Sequence, residues 1–191
     1  MRFVSYAQNY EDVMLWRVLQ QVPGGFYVDV GANDPVKDSV TKAFYERGWH
    51  GINVEPVAAH HADLERERPL DVNLRCALAD RVGSIDLWEC TVPGLATTDR
   101  AVVEQHLRDG RQGQWEAVPV TTLAAVCGEH RSSGEIHFLK IDVEGGEESV
   151  LRGADFRRFR PWIVVVEATR PNSTQQKHES WEHLLTGADY R

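Results

Sequence analysis

The residues with the clearest chemistry are acids that close apolar, strand-like runs. Phe26-Tyr27-Val28-Asp29-Val30 leads into Gly31-Ala32-Asn33-Asp34, a small turn flanked by carboxylates. Roughly twenty residues on, Gly51-Ile52-Asn53-Val54 ends in Glu55. In a Rossmann-like sheet such a turn lets backbone approach a nucleoside-bearing cofactor, and the acid at the next strand tip accepts from ribose hydroxyls. The turn lacks the Gly-x-Gly-x-x-Gly pattern that brings a helix N-terminus up to a pyrophosphate. A cofactor with ribose and adenine but no phosphates fits it, which points to S-adenosylmethionine. Asp29, Gly31, Ala32, Asn33 and Glu55 are its candidate contacts.

Lys140-Ile141-Asp142-Val143-Glu144-Gly145-Gly146-Glu147 is the second such segment. Strand alternation places Lys140 and Asp142 on one face and Ile141 and Val143 on the other. Glu144 and Glu147 fall at the strand-to-helix turn, and the helix dipole is reason enough for Glu147 and Glu148. Asp142 precedes the helix, so it reads as a site residue and a cofactor contact. A further acid, Glu167, closes the apolar run from Trp162 to Ala168. Grouped carboxylates repel unless cations or ligand donors offset them. Ribose hydroxyls, an amino-acid ammonium and a sulfonium would supply those donors. For methyl transfer to a hydroxyl, the protein has to align the acceptor oxygen and help remove its proton. Asp142 or Glu144 is the candidate base, or holds the acceptor while water takes the proton. Asp142, Glu144 and Glu167 also offer hard oxygen ligands suited to magnesium, although spacing alone establishes no metal site.

The elements that must position these groups alternate strand with helix, as in a parallel α/β sheet with flanking helices. Helical spacing over Glu11–Leu19 ends at Pro23-Gly24-Gly25. Strand one is Phe26 to Val30, a helix follows from about Ser39 to Arg47, and strand two is Ile52 to Glu55. A charged helix spans about Ala58 to Arg68, with Arg66 and Arg68 read as solvated. Strand three covers Val72 to Leu78, and its Cys76-Ala77-Leu78 end offers small apolar surface to a purine. Ala77 and Leu78 are therefore candidate adenine contacts, with Cys76 assigned to the sheet core. Ser84 to Cys90 alternates and reads as an antiparallel addition.

Residues Thr91 to Trp115 are irregular around a helix from Thr98 to Arg108. They read as a variable, lid-like segment of about 91–116 in which Arg100, His106, Arg108 and Arg111 could meet the acceptor. A disordered surface insertion is the other reading. Val118-Pro119-Val120 reads as an edge strand because proline cannot donate to a ladder. A helix follows over Thr122 to His130, then strand four from Ile136 to Val143. A short helix from Glu147 to Leu151 stops at Gly153. Trp162 to Ala168 reads as a central buried strand. The polar stretch Arg170 to Gln176 leads to a last helix ending near Gly187. His60 and His61 read as solvated, His137 lies at the wrong end of its strand for chemistry, and His106 reads as a surface histidine. Trp88 reads as packing for the added strand.

The 191 residues suit one domain over 1–191, with an N-terminal helical part at about 5–22. A formal charge of -8 argues against a nucleic-acid partner, which needs clustered Lys and Arg. No run is apolar enough to span a bilayer, and the first residues lack a signal-peptide core. Cys76, Cys90 and Cys127 are scattered and odd in number, so a reducing cytoplasm is the default compartment. The partner expected is a small-molecule or glycan acceptor; no oligomeric state follows from the sequence.

The assembled motifs resemble the FkbM family of S-adenosylmethionine-dependent methyltransferases. The resemblance is carried by Ser5-Tyr6-Ala7-Gln8-Asn9-Tyr10-Glu11-Asp12, Tyr27 to Ala32 and Gly51 to Pro56. It continues through Val120-Thr121-Thr122-Leu123 and Phe138 to Glu147, extended by Val150-Leu151-Arg152-Gly153. It implies a Rossmann-like class I methyltransferase sheet and O-methylation of a sugar, glycolipid or secondary metabolite. It also implies that Ser5 to Asp12 lies near the pocket, with Tyr6 and Gln8 as contacts. The other reading of that segment is a helix cap by Ser5 or Asn9. Two departures stand out: the family usually has an acid where this chain has Ala124, and its C-terminal strands are missing here, so either the fold is short or the chain is a truncated product. Two further readings stand beside the enzyme: a non-catalytic nucleoside-binding module and a nicotinamide-dependent oxidoreductase.

Overall fold

The computed structural model describes residues 3–92, 94–169 and 176–191. Most of the polar stretch expected at Arg170 to Gln176 lies outside them, as does Pro93. Among the described residues, a five-stranded parallel sheet takes the order β3-β2-β1-β7-β8. These strands are β1 (Phe26–Val30), β2 (His50–Val54), β3 (Val72–Leu74), β7 (Phe138–Ile141) and β8 (Ile163–Val166). The chain steps outward from β1 to β3, then returns to the other side of β1. The switch point therefore falls between β1 and β7, whose register pairs Asp29 with Lys140 and Val30 with Ile141. Ligand crevices in open α/β sheets form beyond the strand ends at such a switch.

Period-two alternation splits the core into two layers. Val28, Val30, Leu139 and Ile141 face α5 (Leu123–His130) and α6 (Glu147–Arg152). Tyr27 and Phe138 face the other way, against Leu15 and Leu19 of α1 (Glu11–Leu19) and Phe44 of α2 (Lys42–Tyr45). Asp29 and Lys140 alternate onto this second face and are buried there.

Several expectations need correction. The helix expected at Ser39–Arg47 shortens to α2, because the buried hydroxyls of Ser39 and Thr41 serve polar side chains instead. The single strand expected over Val72–Leu78 is two. After Leu74 the chain leaves the main sheet, and β4 (Ala77–Leu78) pairs in parallel with β6 (Gly113–Thr121). β6 is no edge strand: it is central in a second sheet, β4-β6-β5, with β5 (Gly83–Cys90) antiparallel to it. Pro119 is tolerated because β4 covers only Val120 and Thr121, leaving one side open at the proline. Conversely, β8 is the edge of the main sheet rather than its centre. Its apolar run packs against both layers, so two covered faces mimicked centrality.

The charged helix α3 (Ala58–Glu67) carries an exposed Arg66, as expected, but Arg68 at its end is fully buried. The Arg68 guanidinium donates to the Pro35 carbonyl at 2.5 Å and to Ser39 at 3.1 Å, with Asp71 4.0 Å away. Asp71 in turn accepts from Tyr27 and Asn53. The opening Ser5–Asp12 segment winds around its own acid. Asp12 is buried and accepts from the Ser5 hydroxyl and Tyr6 amide, each at 2.7 Å. The cap position of α1 is Tyr10, with no side-chain cap. His106 is also buried, stacked on Trp88. It belongs to the packing of α4 (Arg100–Arg108) on the outer face of the second sheet.

Candidate functional site

The β1 turn is held from both neighbouring strands. The Gly31 and Ala32 amides donate to the Val54 carbonyl at 3.0 and 3.2 Å. Gly31 adopts φ +75, and a Cβ built there would lie 1.8 Å from the Asp142 carbonyl oxygen. Only glycine accommodates both the conformation and that approach. Asn33 is also left-handed, and its amide donates to Glu55 Oε2 at 2.8 Å. The other Glu55 oxygen accepts from the Val57 amide at 2.8 Å. Burial pushes the Glu55 carboxyl pKa up, against these two hydrogen bonds.

Lys140 joins the turn to the β7 tip. Its Nζ donates to the Gly31 carbonyl at 2.6 Å and lies 3.2 Å from Asp29 and 3.7 Å from Asp142. Burial alone would lower the pKa of this ammonium, but the Asp29 and Asp142 carboxylates outweigh it and raise it. Asp29 also accepts from Thr41 at 2.9 Å. The expected offset of the tip carboxylates by cations is thus met at Asp29 by a lysine of the chain itself.

Beyond the tips lies a cavity of about 420 Å³. Of the residues singled out from the sequence, Gly31, Asn33, Glu55, Ala77, Leu78, Asp142 and Glu144 line it. Asp29 and Ala32 do not, although both are buried. Cys76, assigned to the core, does pack against it but also lines the cavity, and burial pushes its thiol up to about 11. It reaches the cavity because the chain breaks between β3 and β4 at this position. Tyr6 and Gln8 do not line the cavity: the Tyr6 hydroxyl donates to Glu46, and Gln8 is exposed.

Asp142, Glu144 and Glu167 gather at the ends of β7 and β8, each offering a carboxylate oxygen within 4.8 Å of the others. Burial, then the neighbouring Glu167 and Asp142 carboxylates, push Glu144 up to about 7. Burial, then Asp142, does the same to Glu167, also to about 7. One Glu167 oxygen accepts from Thr169 at 2.9 Å, and the other is buried without a partner among the described residues. Glu147, which the helix dipole alone explained, is buried; it accepts from the Gly145 amide at 2.9 Å and so holds the turn that presents Glu144. Glu148 stands in the first turn of α6, as the dipole reading expects, and also pairs with Arg152 at 2.8 Å on the surface.

The second sheet supplies the opposite wall. Ile85, Leu87 and Glu89 alternate onto its cavity face, and Thr91, Val92, Gly94, Ala96, Thr97 and Thr98 of the following connection complete it. The irregular segment is therefore part cavity wall, part helix and part strand. The four basic residues expected to meet an acceptor there do not line the cavity. Arg100 lies over Trp115, Arg108 bonds Gln105, and Arg111 bonds the buried His106 at 2.5 Å.

Sequence reasoning missed Glu89 and His60. Glu89 was legible as an acid in phase with Ile85 and Leu87. His60 lines the cavity with a buried Nδ1 that has no partner among the described residues, although His61 beside it bonds the Asn73 carbonyl. Nothing in the sequence separates the two. Among the described residues, no helix is long and apolar enough to cross a membrane.

The family model for the Methyltransferase FkbM domain matches residues 29–191. No curated protein and no solved structure matches the chain.

Proposed function

The chain belongs to the FkbM methyltransferase family, and from that premise we propose that it is an S-adenosylmethionine-dependent O-methyltransferase. Residues 1–191 would act as one methyltransferase domain in a reducing cytoplasm, where the three cysteines stay as thiols. The observation that carries the reading is the cavity at the switch point, with Glu55 at the β2 tip and Asp142 and Glu144 across from it.

The lining residues fit the cofactor. Glu55 keeps carboxylate lone pairs for the ribose hydroxyls, beside the buried, unpartnered His60 Nδ1. The Cys76-Ala77-Leu78 wall suits a purine face, and Gly31 and Asn33 bring backbone close to the ligand. Asp29 acts from below by fixing Lys140 and, through it, the turn. When bound, S-adenosylmethionine supplies a methyl group on a sulfonium leaving group. The remaining task is to align an acceptor oxygen and take its proton. Glu144 is the proposed base, on the cavity wall with a proton affinity near neutrality. Asp142 beside it orients the acceptor hydroxyl. The acceptor is a hydroxyl compound such as a sugar, a glycolipid or a secondary metabolite.

A divalent cation is the second reading at the same place, favoured by the three converging carboxylate oxygens. Chelation separates the two. Methyl transfer that survives EDTA belongs to the carboxylates alone, whereas transfer restored only by magnesium belongs to the ion.

Calorimetry with S-adenosylhomocysteine tests the cofactor assignment. Wild-type protein should bind, and Glu55→Ala should bind at least about tenfold more weakly. Equal binding by both would remove Glu55 from the ribose site.

A further inference from the structure

The formally charged residues that line the cavity are all acidic, with the His60 imidazole beside them. Glu55, Glu89, Asp142 and Glu144 line it, and among the described residues no Lys or Arg does. The variable segment has basic groups, but Arg100, Arg108 and Arg111 are engaged elsewhere, as described above.

Glu89 differs from the other three carboxylates. It lies on β5, not at the main-sheet tips where the cofactor contacts collect. Its wall neighbours Ile85 and Leu87 are apolar, and they pack with Val57, Ala96 and Val118. Glu89 is half-buried, and across the ladder it faces Gln114. It has no hydrogen-bond or ion-pair partner among the described residues. Its carboxylate therefore meets the cavity without a counter-charge. A cationic group on a bound molecule would supply one, and an anionic group would meet carboxylates on both walls instead.

On the reading that this site methylates a hydroxyl, we propose that the acceptor carries a protonated amine and an apolar portion, and that Glu89 holds the ammonium. The apolar portion lies along Ile85 and Leu87, and the hydroxyl reaches Asp142 and Glu144. Acceptors bearing phosphate or carboxylate are disfavoured by the same field.

The test is calorimetry on the full chain saturated with S-adenosylhomocysteine, using three matched probes. These are octyl 2-amino-2-deoxyglucoside, octyl glucoside and octyl glucuronide. The amine should bind at least about tenfold more tightly than the neutral glucoside, and the glucuronide weakest. Glu89→Gln should bring the amine level with the glucoside. Asp86→Asn, on the solvent face of the same strand, should preserve the order. Glucuronide binding as tight as the amine would overturn the inference, and so would an amine preference that survives Glu89→Gln. Methyl transfer is read separately with labelled cofactor. Absence of transfer to any probe counts against the O-methyltransferase reading, while the binding order still decides the charge inference.

Discussion

The two walls of the cavity are built on opposite principles. The main-sheet wall is polar and braced from within: Lys140 binds Gly31 and Asp29, and Glu55 accepts from Asn33 and Val57. The second-sheet wall is apolar, with one carboxylate that nothing in the described chain answers. A wall whose polar groups hold each other is preorganised for one ligand. A wall of aliphatic side chains and a strap can change its occupant without disturbing the strand tips. On the proposed function, the first would hold the cofactor and the second the acceptor.

The largest expected effect comes from breaking the braced wall. Gly31→Val places side-chain atoms on the Asp142 carbonyl in a left-handed conformation. It should cost ~3 kcal/mol or more in stability and abolish S-adenosylhomocysteine binding. Chemical denaturation and calorimetry read the two losses. If the variant kept wild-type stability, the turn would not be braced as described.

The next effect separates charge from shape at the tips. Glu144 loses its proton as the pH rises through about 7, so methyl transfer by a Glu144 base should climb over that range. Stability should move the other way. A carboxyl whose pKa is raised by folding contributes stability below its ordinary value and loses it as the pH passes about 7. Glu144→Gln should flatten the rate profile and part of the fall in unfolding temperature, with Glu167 responsible for the rest. A rate profile unchanged in Glu144→Gln would assign the proton elsewhere.

A smaller effect belongs to the apolar wall. Leu87→Ala should weaken octyl glucoside binding by a few-fold and leave S-adenosylhomocysteine binding nearly intact, because Leu87 lies on the second sheet. Equal loss of both ligands would merge the two walls into one site. The smallest effect is expected at the exposed arginines. Arg100→Ala and Arg108→Ala should change the acceptor KM by less than about twofold, since neither lines the cavity. A large change would return α4 to the acceptor site.

The main-sheet wall was the more legible in sequence for a physical reason. Its chemistry sits where strand meets turn, and strand ends are marked locally by apolar runs, glycine and a terminal acid. Asp29, Gly31, Glu55 and Asp142 could be placed at sheet ends from such signals alone. Even there, the side a residue faces was hidden. Asp29 was grouped with the cofactor contacts, yet alternation turns it beneath the sheet end toward Lys140 and Thr41. The second wall was obscure because it depends on long-range pairing. β4 meets β6 more than forty residues away, as Ala77↔Val120 records, and local pattern carries no trace of that partner.

The sequence by itself determined the alternating α/β architecture, the acids at the strand tips and the family resemblance, because these are local patterns repeated in order. Tertiary structure alone decided which strands lie at an edge, since β8 and a central strand read alike when both faces are covered. It alone buried Arg68 against Pro35 and Ser39, and took His106 away from the cavity to stack on Trp88. It alone set Glu89 unpartnered in an apolar wall. Charge and size are properties of a residue, whereas burial and partnership belong to the surroundings that the fold assembles.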